Sequence, residues 1–440
     1  VTRPPNALYC QAGGVTAVIN ATAAAIIEAC RDQPDRISAV YAGRNGILGV
    51  LAEDLVDTSF ESAATLRALR HTPGGAFGSA RFRLGSFEDD RATWDRLLAV
   101  FAAHDIRYLF YNGGNGSADT ARSLAQFPAR FGYPLTCVHV PKTIDNDLAV
   151  TDCSPGFGSA AKYLAVSLRE AAADVASMAA SSTRVFILEA MGRHAGWMVA
   201  AMGLAADCDH HPPHLLLFAE VPFDEADFLD RVSGIVERHG YCVVGVSEGL
   251  ADPRGTPVAA APGSHPTGEE QFGGVAPHLA RLVRERLHLK CHWATADYLQ
   301  RAARHLASAT DLAHAEAVGR AAVEFALAGH SSVMPVIIRE SDTPYRWRVG
   351  MTDLDQVAVL ERTLPREFIA ADRCHITDAC RAYLRPLVAG EAWPPFRDGL
   401  PVHAHLADQR VARRLPLYPA PWISENSGCP PQKTTAKIGS

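Results

Sequence analysis

Short runs of β-branched and aromatic residues that stop at glycines and lead into helix-spaced apolar positions recur through the first two-thirds of the chain. Residues 6–10 run into Gly13 and Gly14, then into a helix-like stretch over 15–31. Residues 107–111 run into Gly113 and Gly114, then into helix-like 117–126, and residues 137–140 run into Pro141 and an acidic loop. Residues 184–188 lead to Gly192, and 241–246 end at Ser247, Glu248 and Gly249. Strand, glycine loop and helix repeated in this way predict α/β architecture with parallel sheets, whose ligand loops leave the carboxyl ends of the strands. A polar, Gly- and Pro-rich stretch over 251–274 reads as a long surface excursion. Residues 275–287 and 296–328 predict helices, the first with Pro277 tolerated in its opening turn. The Ala- and Leu-rich stripe over 161–179 is core or subunit-contact packing. From about residue 416 the Pro, Ser, Thr and Gly content predicts a disordered or loosely packed tail. No internal repeat of solenoid length is present.

Composition narrows this picture. The 440 residues are 48% apolar and 20% charged, the balance of a globular protein with a substantial core. A formal charge of −6 provides no broad basic field, so no nucleic-acid partner is expected. Any anionic substrate must then be held by local Arg and Lys residues. No apolar run approaches the ~18 residues that span a bilayer, and the opening residues carry no signal-peptide pattern, so no membrane association is expected. The 10 cysteines are scattered without a C-x-x-C pair, which points to the reducing cytoplasm.

Three kinds of loop carry candidate chemistry. Gly13-Gly14 before a helical pattern lets backbone amides approach an anion, although such a pair also serves as a plain turn. Residues 112–117, Asn-Gly-Gly-Asn-Gly-Ser, form a second loop of the same kind. Pro141-Lys142-Thr143-Ile144-Asp145-Asn146-Asp147 is more specific, crowding two carboxylates, an amide, a hydroxyl and an amine behind a strand. One reading is a polar turn closed by an Asx hydrogen bond. The functional reading makes Asp145 a general base toward a sugar hydroxyl and Asp147 a ligand of Mg²⁺, which commonly takes one or two carboxylates. Residues 191–197, Met-Gly-Arg-His-Ala-Gly-Trp, follow another strand that begins near Arg184. Arg184 and Arg193 suit phosphate recognition, or alone are surface residues.

Taken in order, Gly13-Gly14 with Asn20, Gly78-Ser79-Ala80-Arg81, Gly113-Gly114-Asn115-Gly116-Ser117, Thr143 to Asp147, Met191-Gly192-Arg193, Ser247-Glu248 and Tyr298-Leu299-Gln300-Arg301 resemble the phosphofructokinase family. The stretch 141–197 looks closest to its bacterial pyrophosphate-dependent branch. The resemblance implies two similar Rossmann-like lobes with parallel-rich sheets and an active-site cleft between them. Residues 1–156 with about 300–340 would form the donor lobe and 157–299 the sugar-phosphate lobe, followed by an extension over 341–415 and a tail over 416–440. It implies transfer of phosphate from pyrophosphate to O1 of fructose 6-phosphate, giving fructose 1,6-bisphosphate reversibly in glycolysis and gluconeogenesis, with Mg²⁺ as cofactor. Gly13 and Gly116 would face the donor phosphates, Asn115 and Asp147 the metal, and Asp145 the C1 hydroxyl, with Lys142 beside the donor. Thr143, Met191, Gly192, Arg193 and Glu248 would hold the sugar, and Tyr298 and Arg301 its 6-phosphate. Arg81 would face the transferring phosphoryl group, and Arg184 would reach in from a neighbouring subunit of a homodimer or homotetramer.

Some positions depart from the family pattern. Asn115 stands where members usually carry Asp, a neutral amide that still offers an oxygen. Lys142 is the lysine of the pyrophosphate branch, whereas Gly116 is the ATP-type residue where that branch typically carries Asp. Pyrophosphate is the expected donor, ATP the alternative, and a catalytically weak regulatory subunit the rival from another class. His292 occupies the position of a phosphate-binding Arg, with Lys290 nearby, and Ala12 replaces a hydroxyl residue. Residues 207–214, Asp-Cys-Asp-His-His-Pro-Pro-His, have a metal-site composition but no helical i, i+4 pair, and read as a loop. Glu220, at the end of the apolar run 215–219, could pass for a catalytic acid but reads as a strand-end carboxylate capping the next turn.

Overall fold

A computed structural model describes residues 3–206, 211–264, 270–358 and 360–418. Strands β1 to β5 (Asn6–Gln11, Val40–Gly43, Leu55–Asp57, Ile106–Gly113, Thr136–Pro141) begin the first sheet. Strands β6 to β8 (Val185–Ala190, Leu215–Leu217, Cys242–Ser247) begin the second, followed by a hairpin of β9 (Ala260–Ser264) and β10 (Glu270–Phe272). Strand β11 (Cys291–Thr295) completes the second sheet, and β12 (Val333–Asp342) and β13 (Tyr345–Asp353) return to the first. The first sheet has the order β13-β12-β5-β4-β1-β2-β3, and the second β11-β6-β8-β7. All pairs in the second sheet are parallel, and the first is parallel from β12 to β2 with antiparallel strands at both edges.

The alternation of side chains across β1 sorts its residues between two cores. Ala7 and Tyr9 join a cluster that continues through Phe157 and Leu164 to Leu188 and Val243, so the two sheets share one interior. Leu8 and Cys10 face the other side with Trp94, Phe101 and Phe127. A third cluster, around Ile187 and Val244, is covered by the helices Glu225–His239 and Val275–Leu287. The eight described cysteines are buried and free. Among the described residues no helix is long and apolar enough to cross a membrane.

The expected strands are present with ends displaced by two residues at most, and the helix Val275–Leu287 has the expected bounds. Other expectations change. The first helix starts at Ile19, because Gly13 turns left-handed and β-branched Val15, Thr16 and Val18 resist entering the helix. Residues 296–328 are not one helix but Asp297–Ala302 and Ala309–Leu327. Ser308 caps the second helix, and the Arg304 guanidinium holds the break by donating to the carbonyls of Arg70 and Ala392. The excursion over 251–274 contains the β9–β10 hairpin, and its residues 265–269 lie outside the described residues. The tail expectation lies mostly outside them too, since description ends at residue 418. Residues 361–415 run back over both sheets, with Leu364 bonded to Glu220 and Arg410 bridging to Val56.

Candidate active site

The loops after β1, β4 and β5 leave neighbouring strands of one sheet, and those after β6, β8 and β11 leave neighbouring strands of the other. Carboxyl ends of parallel strands are where such folds bind ligands.

On the first side, the helix Asn115–Leu124 begins immediately after β4, with Gly114 as its cap. The amides of Asn115 and Gly116 open that helix and have no carbonyl of an earlier turn to bond, so they and the helix dipole favour an anion. A Cβ on Gly116 would meet nothing within 4 Å. Gly13 and Gly14 do not open a helix, which corrects that expectation, and the Gly13 amide donates to the Ala80 carbonyl at 3.0 Å. Arg81, exposed, follows directly from that contact.

The acidic loop is built on Thr143 and Asn146. Thr143 Oγ1 accepts from the Asp145 amide at 3.0 Å. Asn146 takes a left-handed φ of 54°, accepts from the Ser154 amide at 3.1 Å and donates to the Tyr383 hydroxyl at 3.0 Å. The carboxylates on either side of it are therefore carried on a fixed turn. Asp147 Oδ2 accepts from Asn115 Nδ2 at 2.9 Å, while Asn115 Oδ1 and Asp147 Oδ1 are buried acceptors without a partner. Two orphaned oxygens on side chains bonded to each other fit Mg²⁺, which completes its shell with water and phosphate oxygens.

Lys142 is 4% exposed and donates to the Gly14 carbonyl. Burial pushes its pKa down to about 8, with Arg301 and Arg81 adding to the effect and Asp145 and Asp147 opposing it. Burial raises the pKa of Asp145, helped by the charges of Asp147 and Glu248 and opposed by Lys142 and Arg193. Burial also raises Asp147, against its hydrogen bonds to Thr143 and Asn115. The influence of Glu248 and Arg193 on Asp145 reflects loops of the two sheets meeting across one cleft.

On the second side, Gly192 has φ 133° and donates its amide to Glu248 Oε1 at 3.2 Å, while Ser247 Oγ donates to its carbonyl at 2.7 Å. Only glycine is at ease with that backbone. The Met191 amide donates to Gln300 Oε1 at 3.4 Å. Arg301 lies over the Tyr298 ring at 4.1 Å, and its Nη1 stands 2.6 Å from the place a Cβ on Gly14 would take. Its guanidinium therefore spans the cleft to the first loop.

Arg184 is elsewhere. It precedes β6 at the amino end, six residues before Ala190, so about 20 Å of strand separates it from this cleft. Its amide donates to the Lys290 carbonyl and its Nε to Gly240, and His292 lies nearby on β11. Residues 207–210 lie outside the described residues. His214 is a core residue, accepting from the Val243 amide at 3.0 Å, its pKa pushed down to about 4 by burial. Glu220 caps, but not the turn after it: Oε1 accepts from Gly196 at 2.8 Å and Leu364 at 2.9 Å, at the start of the helix Trp197–Met202. Sequence reasoning missed the supporting roles of Gln300, Asn146, Tyr383 and Arg362. Asn146 carried a signal, as a residue type that tolerates left-handed backbone between two acids, whereas Arg362 carried none.

Two sheets facing across a cleft, with a buried lysine, an acidic turn and a metal-suited pair, suit phosphoryl transfer, where positioning and charge neutralisation do most of the work. The chain belongs to the phosphofructokinase family, whose sequence model matches residues 6–326. It is 56% identical over 410 residues to the pyrophosphate–fructose 6-phosphate 1-phosphotransferase of Methylococcus capsulatus, covering 93% of this chain and 98% of that one. The structure matches the pyrophosphate-dependent phosphofructokinase from Nitrosospira multiformis with a TM-score of 0.86 at 53% identity, over 94% of this chain and 100% of that one. The ATP-dependent 6-phosphofructokinase of Mycobacterium bovis is 30% identical over 322 residues, covering 70% of this chain and 87% of the other.

Proposed function

We propose that this protein transfers a phosphoryl group from pyrophosphate to the C1 hydroxyl of fructose 6-phosphate, giving fructose 1,6-bisphosphate and phosphate. The observation that carries the reading is the convergence of Lys142, Asp145 and Asp147 with the Met191–Arg193 loop and Glu248 across one cleft, in a chain similar over 93% of its length to a relative named for this reaction.

Asp145 takes the proton as the C1 oxygen attacks phosphorus, and its partly buried setting, which raises its affinity for protons, suits a base working near neutral pH. Thr143, Met191, Gly192, Arg193 and Glu248 hold the sugar. Tyr298 and Arg301 hold its 6-phosphate, with Arg301 close enough to Gly14 to respond to the donor as well. The amides of Asn115 and Gly116, Lys142 and Arg81 surround the donor, and Gly13, whose amide is taken by the Ala80 carbonyl, lies beside Lys142 without giving the donor its N–H. Mg²⁺ held by Asn115 and Asp147 would neutralise charge on the donor oxygens. Arg184 serves the cleft of a second copy, since its own is too distant, so the active form has at least two subunits. One observation favours ATP as a second donor: the open space at Gly116 leaves room for a longer polyphosphate.

The test is kcat/KM with pyrophosphate, ATP and ADP, each with fructose 6-phosphate and Mg²⁺, together with Asp145→Asn. Pyrophosphate is expected to lead, and Asp145→Asn to lower kcat by about 10²–10⁴ with little change in KM. A clear ATP preference would overturn the donor, and near-normal turnover of Asp145→Asn would remove it from the mechanism.

A further inference from the structure

Behind the cleft, residues 361–364 of the C-terminal extension form a strap bonded to both halves of the site. On one side Glu361 bridges to Leu148, and the Arg362 amide donates to the carbonyl of Asp147 at 2.8 Å. The Arg362 guanidinium donates to the carbonyls of Thr151 and Asp152 and to the hydroxyl of Tyr383, the same hydroxyl that receives Asn146. On the other side the indole nitrogen of Trp197 donates to the Arg362 carbonyl at 3.3 Å, and the guanidinium lies 4.4 Å from the centre of the Trp197 ring. Two residues on, the Leu364 amide shares Glu220 Oε1 with the Gly196 amide. The strap thus touches the backbone of Asp147, at the metal end, and Trp197, at the end of the sugar loop, and is joined through Glu220 to Gly196. Trp197 is wholly buried, so the contact is part of the packed interior.

We propose that Arg362 and Glu220 are positioning residues whose strap couples the acidic loop to the sugar loop, so that binding of the sugar phosphate and of the metal–diphosphate donor favour one another. Both loops meet substrate on their open side and the strap on their closed side. A shift of the Met191–Trp197 loop on sugar binding pulls on the Arg362 carbonyl and Leu364 amide, and the same three residues carry it to the carbonyl of Asp147. A tether of several bonds passes a displacement of one loop to the other, and coupling needs an element whose arrangement both sites bias. The inference rests on the site being a sugar-phosphate phosphotransferase.

The experiment is calorimetric binding of fructose 6-phosphate to the full-length protein, with and without Mg²⁺ and imidodiphosphate, an unreactive analogue of pyrophosphate. Turnover of each variant is measured alongside. In the unmodified protein the analogue is expected to tighten sugar binding by about tenfold or more. In Arg362→Ala and Glu220→Ala this factor should fall to about two or less and kcat by about 10²-fold, because a displacement of about 1 Å between the loops suffices. Glu220→Gln retains the accepting oxygen and should retain the coupling, and the double variant should lose no more than either single one, since both act through one strap. Should Arg362→Ala fail to fold, Trp197→Phe removes the indole donor to the Arg362 carbonyl and shrinks the ring under its guanidinium, and should lower the factor in the same direction. Undiminished coupling in folded Arg362→Ala, or none in the unmodified protein, overturns the strap's role. Unmodified protein that turns over with full coupling in Arg362→Ala defeats the strap alone, whereas unmodified protein that binds no fructose 6-phosphate overturns both readings.

Discussion

Asn146 offers a measurement of how far the acidic loop depends on its own backbone. Its side chain is buried, and its φ of 54° lies where a Cβ is ordinarily penalised. Replacing it with Ala strands the Ser154 amide, itself 1% exposed, which costs about 1–3 kcal/mol. The Tyr383 hydroxyl loses one donor but keeps its bonds to Arg362 and Asp152, a loss of about 0.5–1.5 kcal/mol. Left-handed Ala adds about 1 kcal/mol, for a total of about 2.5–5.5 kcal/mol. Asn146→Gly loses the same two bonds without the left-handed penalty. At an ordinary position Gly is the less stable of the two by about 0.5–1 kcal/mol, and here the order should invert. Urea unfolding of the two variants, followed by fluorescence, reads the difference, and steady-state assays of the same preparations should show kcat lowered about 10²-fold as Asp145 and Asp147 lose their fixed spacing. An Ala variant as stable as the Gly variant, or either variant with normal kcat, would refute the claim that this turn sets the carboxylates.

Three further outcomes are expected. Arg301→Ala should raise the KM for fructose 6-phosphate about ten- to hundred-fold, whereas a rise confined to pyrophosphate would reassign the guanidinium, which lies against Gly14, to the donor. Mixing Arg184→Ala with Asp145→Asn protein should restore part of the activity by assembling one intact site, and failure despite demonstrated subunit exchange would make each chain self-sufficient. Gly116→Asp should leave stability nearly unchanged, because a Cβ there meets open space, while lowering kcat/KM for ATP about tenfold or more relative to pyrophosphate by repulsion. An unchanged donor ratio would separate residue 116 from donor choice.

What the sequence disclosed follows from the range of the interactions concerned. The strands at 6–11, 136–141 and 242–247 are almost wholly buried, so each reads as a short apolar run that stops at its own loop, and strand and loop are visible together. The acidic turn is equally local, since Thr143 closes on the Asp145 amide two residues away. Helix breaks are less local. Nothing between 296 and 328 announces that Arg304 is pinned by the carbonyls of Arg70 and Ala392, yet those distant partners divide the expected helix. The supports of the site are the least visible, because backbone atoms make them. The Arg362 amide meets the Asp147 carbonyl, and Glu220 joins the amides of Gly196 and Leu364. Backbone groups are identical in every residue, so such partners leave no trace in residue type. Glu220 showed its chemistry, a capping carboxylate, but not its address. Residues proposed to meet substrate are therefore legible as motifs, whereas those that hold them in register emerge only once 196, 220 and 364 stand side by side.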